Sequence, residues 1–290
     1  SFYVRRALRL LPALCVLLLV LVATSVVLSP AIAREYCVAA LAALFFVANW
    51  VMALDPEGIG TYMRTLGPTW SLGVEEQFYL VWPVVLGLLL ARGARPRALA
   101  WTAGAGIVAS AVWRAVLSIE GVHAWRIYCG SDTRADALLM GCLLGVVVNR
   151  TQSKNPKLET WLPILGFGSL AFFMVGGFTL PSSASFTMQR AGFTVLASMA
   201  ACLIFSVVMV PGSSLSRALS ATWLVAIGRV SYALYLWHVP IGAMVNAERA
   251  GVSGIALAMV QILVLAAVVT ASWYVIERPA LRFKRRWART

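Results

Sequence analysis

The stretch TWSLGVEEQFYLVWP, residues 69–83, sets Glu75 and Glu76 at the threshold of an apolar run in a chain with only 11 acidic residues. A carboxylate beside lipid is costly, and ionisable groups within membrane segments face a bundle interior or a wet cavity and mark functional sites. On a helix Ser71, Glu75 and Tyr79 lie four apart on one face, while Glu76 points about 100° away. The spacing predicts that Glu75 looks inward beside a hydroxyl and a phenol, where it can hold or move a proton, and that Glu76 reaches the interface. The alternative is that both are solvated charges at a helix start.

Three more clusters carry groups with chemistry. In GSDTRADALLMG, Asp132, Arg134 and Asp136 open an apolar segment, either as functional groups or as a local ion-pair cap. In GRVSYALYLWHVPI, Ser231, Tyr235, His238 and Gly242 fall within one helical arc, with Arg229 almost opposite. His238, one of two histidines, suits either proton transfer or an interhelical hydrogen bond. In SFYVRRALRLLP, Arg5, Arg6 and Arg9 offer planar guanidinium groups that match phosphate, or else act as positive anchors. The closing VIERPALRF places Glu277 beside Arg278, with Pro279 expected to stop the helix.

The elements that must position these groups follow from composition. The chain has 290 residues, 61% hydrophobic and 12% charged, with mean hydropathy +0.84; soluble domains carry about 25% charged residues. This establishes an all-α, polytopic transmembrane bundle, read as one membrane domain over residues 1–290 with no soluble appendage. About nine apolar segments are expected, at 10–33, 36–54, 71–91, 99–118, 135–149, 161–180, 190–211, 222–247 and 254–276. Gly141 and Gly145 offer a small-residue surface for close helix packing. The net charge of +13 lies in short loops and tails, where it sets orientation and meets anionic lipid; no basic stripe interleaved with aromatics suggests nucleic acid. Cys15, Cys37, Cys129, Cys142 and Cys202 are scattered without metal-ligand spacing, so no metal is assigned.

Basic residues orient the segments. Arg92, Arg95 and Arg97, then Arg150, Lys154 and Lys157, then Arg217, and finally the tail from Arg278 to Arg289 fall on one side if every segment from the fourth onward crosses. Placing Arg5, Arg6 and Arg9 on that cytoplasmic side requires residues 10–54 to cross only once in net. One of the first two segments is therefore expected to be re-entrant, which is tolerated when protein covers its backbone. Residues 55–70, Arg126 and the 248–253 loop are then external, and Lys284 is cytoplasmic.

SFYVRRALRLLPA, TWSLGVEEQFYLVWP, RADALLMGCLLG, GRVSYALYLWHVPI and IERP stand in the order and approximate spacing of the integral-membrane acyltransferase-3 family. The chain resembles that family from Ser1 to about Pro279. The resemblance implies an enzyme of the bacterial plasma membrane that moves an acetyl or other acyl group from cytoplasmic acyl-CoA to a hydroxyl of a saccharide or glycosylated acceptor. It implies that Arg5, Arg6 and Arg9 meet the CoA phosphates and that Glu75, Arg134 and His238, the candidate catalytic residues, line the transfer path or the acceptor site. Trp70, Ser71, Glu76, Tyr79, Asp136, Ser231 and Tyr235 would line the acceptor site. A base would deprotonate the hydroxyl and fixed donors would hold the oxyanion. A flippase for a lipid-linked saccharide and an inactive family member are the alternatives, and association into a homo-oligomer is left open.

The family places its catalytic His on a first helix, and this chain resembles the family from the third helix onward. The expectation is an N-terminally incomplete member that regains activity when two upstream helices are supplied. His238, some 18 residues from the inner end of its segment, would otherwise lie roughly 25 Å from the arriving thioester, at about 1.5 Å per residue.

Overall fold

The computed structural model describes residues 2–28, 30–151, 156–183 and 185–287, and every regular element among them is helical. Lys154 and Arg289, part of the charge pattern above, lie outside these residues. In chain order the helices are α1 (Phe2–Leu28), α2 (Ala33–Leu44), α3 (Ala48–Leu54), α4 (Ile59–Thr65), α5 (Thr69–Ala91), α6 (Pro96–Ile119), α7 (Ala124–Cys129) and α8 (Ser131–Arg150). There follow α9 (Pro156–Thr179), α10 (Phe193–Met209), α11 (Ser214–Leu219), α12 (Thr222–Met244), α13 (Ala247–Ala250), α14 (Gly254–Ser272) and α15 (Arg278–Trp287). Wide π-helical turns at Met188–Gly192 and Trp273–Glu277 lead into α10 and α15.

Among the described residues, 7 helices are long and apolar enough to cross a membrane by length and composition. They match seven of the nine expected segments. The segment at 36–54 is instead broken between α2 and α3, where Phe46 takes φ 58°. Val47 N donates to Ala42 O at 2.9 Å and Phe46 N to Ala43 O at 3.1 Å, so the last carbonyls of α2 are satisfied as in a glycine-ended helix, though a phenylalanine occupies the left-handed position. The segment at 135–149 is helical within α8 but carries Asp132, Arg134 and Asp136 in its first two turns, and so falls outside the seven.

Pro279 does not stop the helix. The path continues to Trp287 because the wide turn at Trp273–Glu277 resets the register just before it. A proline in the first turn after such a reset loses no intrahelical hydrogen bond.

The chain divides into two compact units, one of Ser1–Gly73 with Ala226–Thr290 and the other of Val74–Val225. In the first, Ala13, Leu14 and Leu17 of α1 are fully buried, and α2 turns an alanine face, Ala39 to Ala43, inward. Small residues let helix backbones approach closely. Gly73 shows how closely: a Cβ there would stand 2.8 Å from the Phe46 carbonyl oxygen and 2.7 Å from Asn49 Oδ1. Gly67, at φ +61°, would likewise meet Val239 Cβ at 2.8 Å. Tyr232 Oη donates to Leu10 O at 2.8 Å, setting α12 against α1.

In the second unit α6 packs on α8, and α10 packs on both α8 and α9. Nothing among the described residues lies within 4 Å of a Cβ placed on Gly141 or Gly145. That small-residue surface therefore meets no other helix among the described residues, and both glycines are exposed.

Gly73→Ala should lower stability by roughly 1–3 kcal/mol, the usual cost of overpacking, as read by denaturation in detergent. Gly141→Ala, with open space around it, should leave the same midpoint unchanged.

Candidate active site

In the second unit the charged residues of GSDTRADALLMG part company. Asp132 accepts from Arg126 Nη2 at 2.6 Å and Nη1 at 2.9 Å, and from Trp113 Nε1 at 2.8 Å. This bidentate pair ties α7 to the start of α8, as a cap would. Asp136 is 1% exposed in its side chain and pairs with Arg114 Nη2 at 2.9 Å. It also accepts from Thr194 Oγ1 at 2.7 Å. The expected contact of Asp136 with an acceptor gives way to this pair, because a buried carboxylate needs a permanent positive partner.

Arg114 is the functional-type residue that reading the sequence missed. Its side chain is fully buried, with Nε donating to Gln189 O at 2.8 Å and Nη1 to Thr133 O at 2.6 Å. Nη2 also donates to Thr194 Oγ1 at 2.5 Å. The signal was present: an arginine inside the 99–118 apolar segment calls for an internal partner by the same rule that singled out Glu75.

Arg134 is left to the aromatic residues. Its guanidinium carbon lies 4.2 Å from the Phe193 ring centroid and 5.6 Å from that of Tyr128. Its Nη1 is buried and holds no hydrogen bond among the described residues. Tyr128 stands edge-on to Trp125, with centroids 6.0 Å apart, and both line a cavity of about 140 Å³ with Ala124 and Ser183. Burial pushes the neighbouring Cys129 thiol up to about 12, against the opposing pull of the Arg134 charge. A thiol held so far from ionisation is no nucleophile at neutral pH.

Glu75, Glu76 and Tyr79 also belong to the second unit, and all three are half-buried, so exposure does not separate Glu75 from Glu76. Gln77 Oε1 accepts from Ser131 Oγ at 2.6 Å, joining the acidic turn of α5 to the start of α8.

The first unit holds Trp70, Ser71, Ser231, Tyr235 and His238. Ser71 does pair with a phenol, but the phenol is Tyr235, 164 residues away, rather than Tyr79. Ser71 Oγ donates to Pro68 O at 3.0 Å, so the Tyr235 hydroxyl is the donor in their short bond. His238 Nδ1 lies 2.8 Å from Tyr235 O. A carbonyl only accepts, so Nδ1 carries the hydrogen and Nε2 carries the lone pair of the neutral ring. That tautomer is the one a general base requires at Nε2. Ser231 bonds back to Gly228 O at 2.9 Å and takes no part in this group. Trp70 is half-buried at the start of α5.

Arg5 and Arg9, four apart on α1, are exposed, and Arg6 is half-buried. Arg9 lies close enough to Glu277 for its charge to act on that carboxylate. The bond from Tyr232 to Leu10 aligns α12 with α1 near Arg9, and Met244 shares a cavity with Leu21 and Ser25, so the two helices run in the same direction. His238, six residues past Tyr232, is then about 10 Å along the helices from the level of Arg9. Measured from the end of its apolar run it stood at roughly 25 Å; the difference arises because the α1 arginines enter well inside that end. No cluster of three or more metal-ligating side chains occurs among the described residues.

A family model described as an acyltransferase domain matches residues 1–278. The peptidoglycan O-acetyltransferase OatA of Listeria monocytogenes is 36% identical over 251 residues, covering 83% of this chain and 39% of that protein. The O-acetyltransferase OatA of Staphylococcus aureus is 31% identical over 286 residues, covering 96% of this chain and 47% of its own. The chain thus spans less than half the length of these relatives. No solved structure matches.

Arg114→Ala should destabilise the protein by roughly 3–5 kcal/mol, because it strands the buried Asp136 charge. The pair Arg114→Met with Asp136→Leu should recover much of that loss in the same denaturation assay, since the Asp136 carboxylate is no longer stranded.

Proposed function

The chain belongs to the integral-membrane acyltransferase-3 family, and on that premise we propose that it transfers acetyl from cytoplasmic acetyl-CoA to a hydroxyl of an extracytoplasmic saccharide. The observation that carries this reading is the His238 Nε2 lone pair, about 10 Å along α1 and α12 from the level of exposed Arg9. Arg5, Arg6 and Arg9 would bind the CoA phosphates as charge-assisted pairs. His238 Nε2 would take the proton of the acceptor hydroxyl as its oxygen attacks the thioester carbonyl. The tetrahedral oxyanion then collapses, the carbon–sulfur bond breaks, and the CoA thiolate recovers a proton from the imidazolium. Glu75 is proposed as a further proton-handling group and Arg134 as a cation facing developing negative charge. The name of the Listeria relative, a peptidoglycan O-acetyltransferase, supports a cell-wall saccharide as the acceptor class.

The same reading assigns sides. If α8 crosses and residues 33–54 do not, Arg9, Arg92, Arg150, Arg217 and Arg278 all face the cytoplasm, as the positive-inside rule asks. The break at Phe46 supports residues 33–54 as the part that fails to cross.

Membranes holding the full-length protein, given acetyl-labelled CoA, should leave alkali-labile label on saccharide. His238→Ala should reduce transfer by at least about 100-fold, in the range of a general base. Wild-type turnover in that variant would remove His238 from the reaction. Changing Arg5, Arg6 and Arg9 together to Lys should raise KM for acetyl-CoA with little change in kcat, since Lys cannot reproduce the bidentate grip. Glu75→Gln should slow transfer more than Glu76→Gln; equal effects would end the argument from helical face.

A further inference from the structure

After α1 the chain turns through Pro30–Ile32 and packs back on α1 as α2. Between the Cys15–Val22 stretch of α1 and the Cys37–Leu44 stretch of α2 lies a cavity of about 430 Å³. Every residue of its wall is Ala, Val, Leu or Cys. A buried thiol behaves as a small apolar group, so water here would lack the two to four polar partners it needs. Leu19 and Leu41, on opposite walls, are 69% and 54% exposed. The cavity is therefore a groove open along one side, where the surroundings are lipid.

One end of this groove carries a charge. Residues 34, 37, 41 and 44 stand three or four apart along α2 and share one face. Arg34 thus lies one turn before Cys37 on the face that lines the groove. It is exposed, and no hydrogen bond or ion pair engages it among the described residues. On the sides assigned above Arg34 is external, where the positive-inside rule gives an arginine no orienting role. From Arg34 to Leu44 is about 15 Å along the helix axis. That is half of the roughly 30 Å hydrocarbon core, the depth of one leaflet.

We infer that the groove between α1 and α2 holds one acyl chain of an anionic phospholipid, whose phosphate is bound by Arg34 at the outer surface. The choice of leaflet rests on the sides proposed above; the binding itself does not depend on acetyl transfer. A saccharide or a peptide-like arm would leave its polar groups unpaired against these walls, at a cost for each. Hydrocarbon meets them without that cost. Any apolar face on a membrane protein touches lipid, but a guanidinium at the head of a groove one leaflet deep selects among lipids, because it grips phosphate and favours net negative charge. The chain would also cover the open flank of α2, whose 12 residues are too few to span the core.

The test places full-length protein in nanodiscs of neutral lipid doped with a phospholipid bearing a photoreactive diazirine midway along one chain. The headgroup is either phosphatidylglycerol or phosphatidylcholine, and mass spectrometry locates the labelled peptides. Peptides covering residues 15–22 and 37–44 should take up the phosphatidylglycerol probe about fivefold more than the phosphatidylcholine probe, the scale of one arginine meeting an anionic headgroup. The exposed face of α5, at Leu80, Val84 and Leu88, should label about equally with both and so reports ordinary bilayer contact. Arg34→Gln should bring the groove ratio close to one without changing the labelling of α5, and Arg34→Lys should keep part of the preference. Leu41→Trp, at an exposed position, should fill the groove and remove its label for both probes while the denaturation midpoint in detergent stays near wild type. Equal labelling of the groove by the two headgroups reduces it to ordinary bilayer contact and overturns the inference. A phosphatidylglycerol preference that survives Arg34→Gln overturns it as well, since the charge would then be read elsewhere, as by the arginines of α1.

Discussion

Within hydrocarbon no water is available to complete a hydrogen bond, so every backbone group and every charge must find its partner inside the protein. The irregular places in this chain are the ones where that demand is hardest to meet. Between α2 and α3 the chain leaves the helix at Phe46, yet two backbone bonds close the carbonyls it would otherwise expose. Gly73 then lets α5 sit directly over that turn, because no Cβ intervenes. In the second unit Arg114 is sealed from solvent and every guanidinium nitrogen is matched, to Gln189, Thr133, Thr194 and Asp136.

The same constraint sorts structural charges from available ones. Asp132 and Asp136 look alike in sequence, but each is taken up by an arginine from another helix, Arg126 and Arg114. Arg134 lies between them and has aromatic faces instead of a carboxylate, which keeps a positive charge beside a small aromatic-walled cavity. Arg5 and Arg9 are exposed at one end of α1. A charge already paired and buried holds helices together; one left open on a surface or against an aromatic face can meet an incoming anion.

In the first unit the relation of α1 to α12 gives the chemistry its scale. One bond, from the Tyr232 hydroxyl to the Leu10 carbonyl, brings His238 to within two or three turns of Arg9 in level. A second, within α12, selects the ring tautomer by engaging Nδ1 with Tyr235 O. Ser71 and Tyr235 add a hydroxyl pair whose direction is set by Pro68. Three arginines, a histidine whose Nε2 carries the lone pair and a pair of oriented hydroxyls thus belong to one unit whose elements come from both ends of the chain.

Composition and hydropathy alone determined that this is a helical, multi-pass membrane protein, because runs of about 20 apolar residues have few other fates. The five quoted motifs likewise determined the family, and the arginines, Glu75, Arg134 and His238 as candidates, since those residue types are expensive in lipid wherever they fall. Only the tertiary structure decided that residues 36–54 are two helices, that the helical path runs through Pro279, and that Ser71 meets Tyr235 rather than Tyr79. Helical spacing reports which residues share a face of one helix; it carries nothing about which helix lies opposite. Asp136 was legible as a costly charge, but its partner Arg114 lies on another helix, and that pairing depends on how α6, α8 and α10 pack.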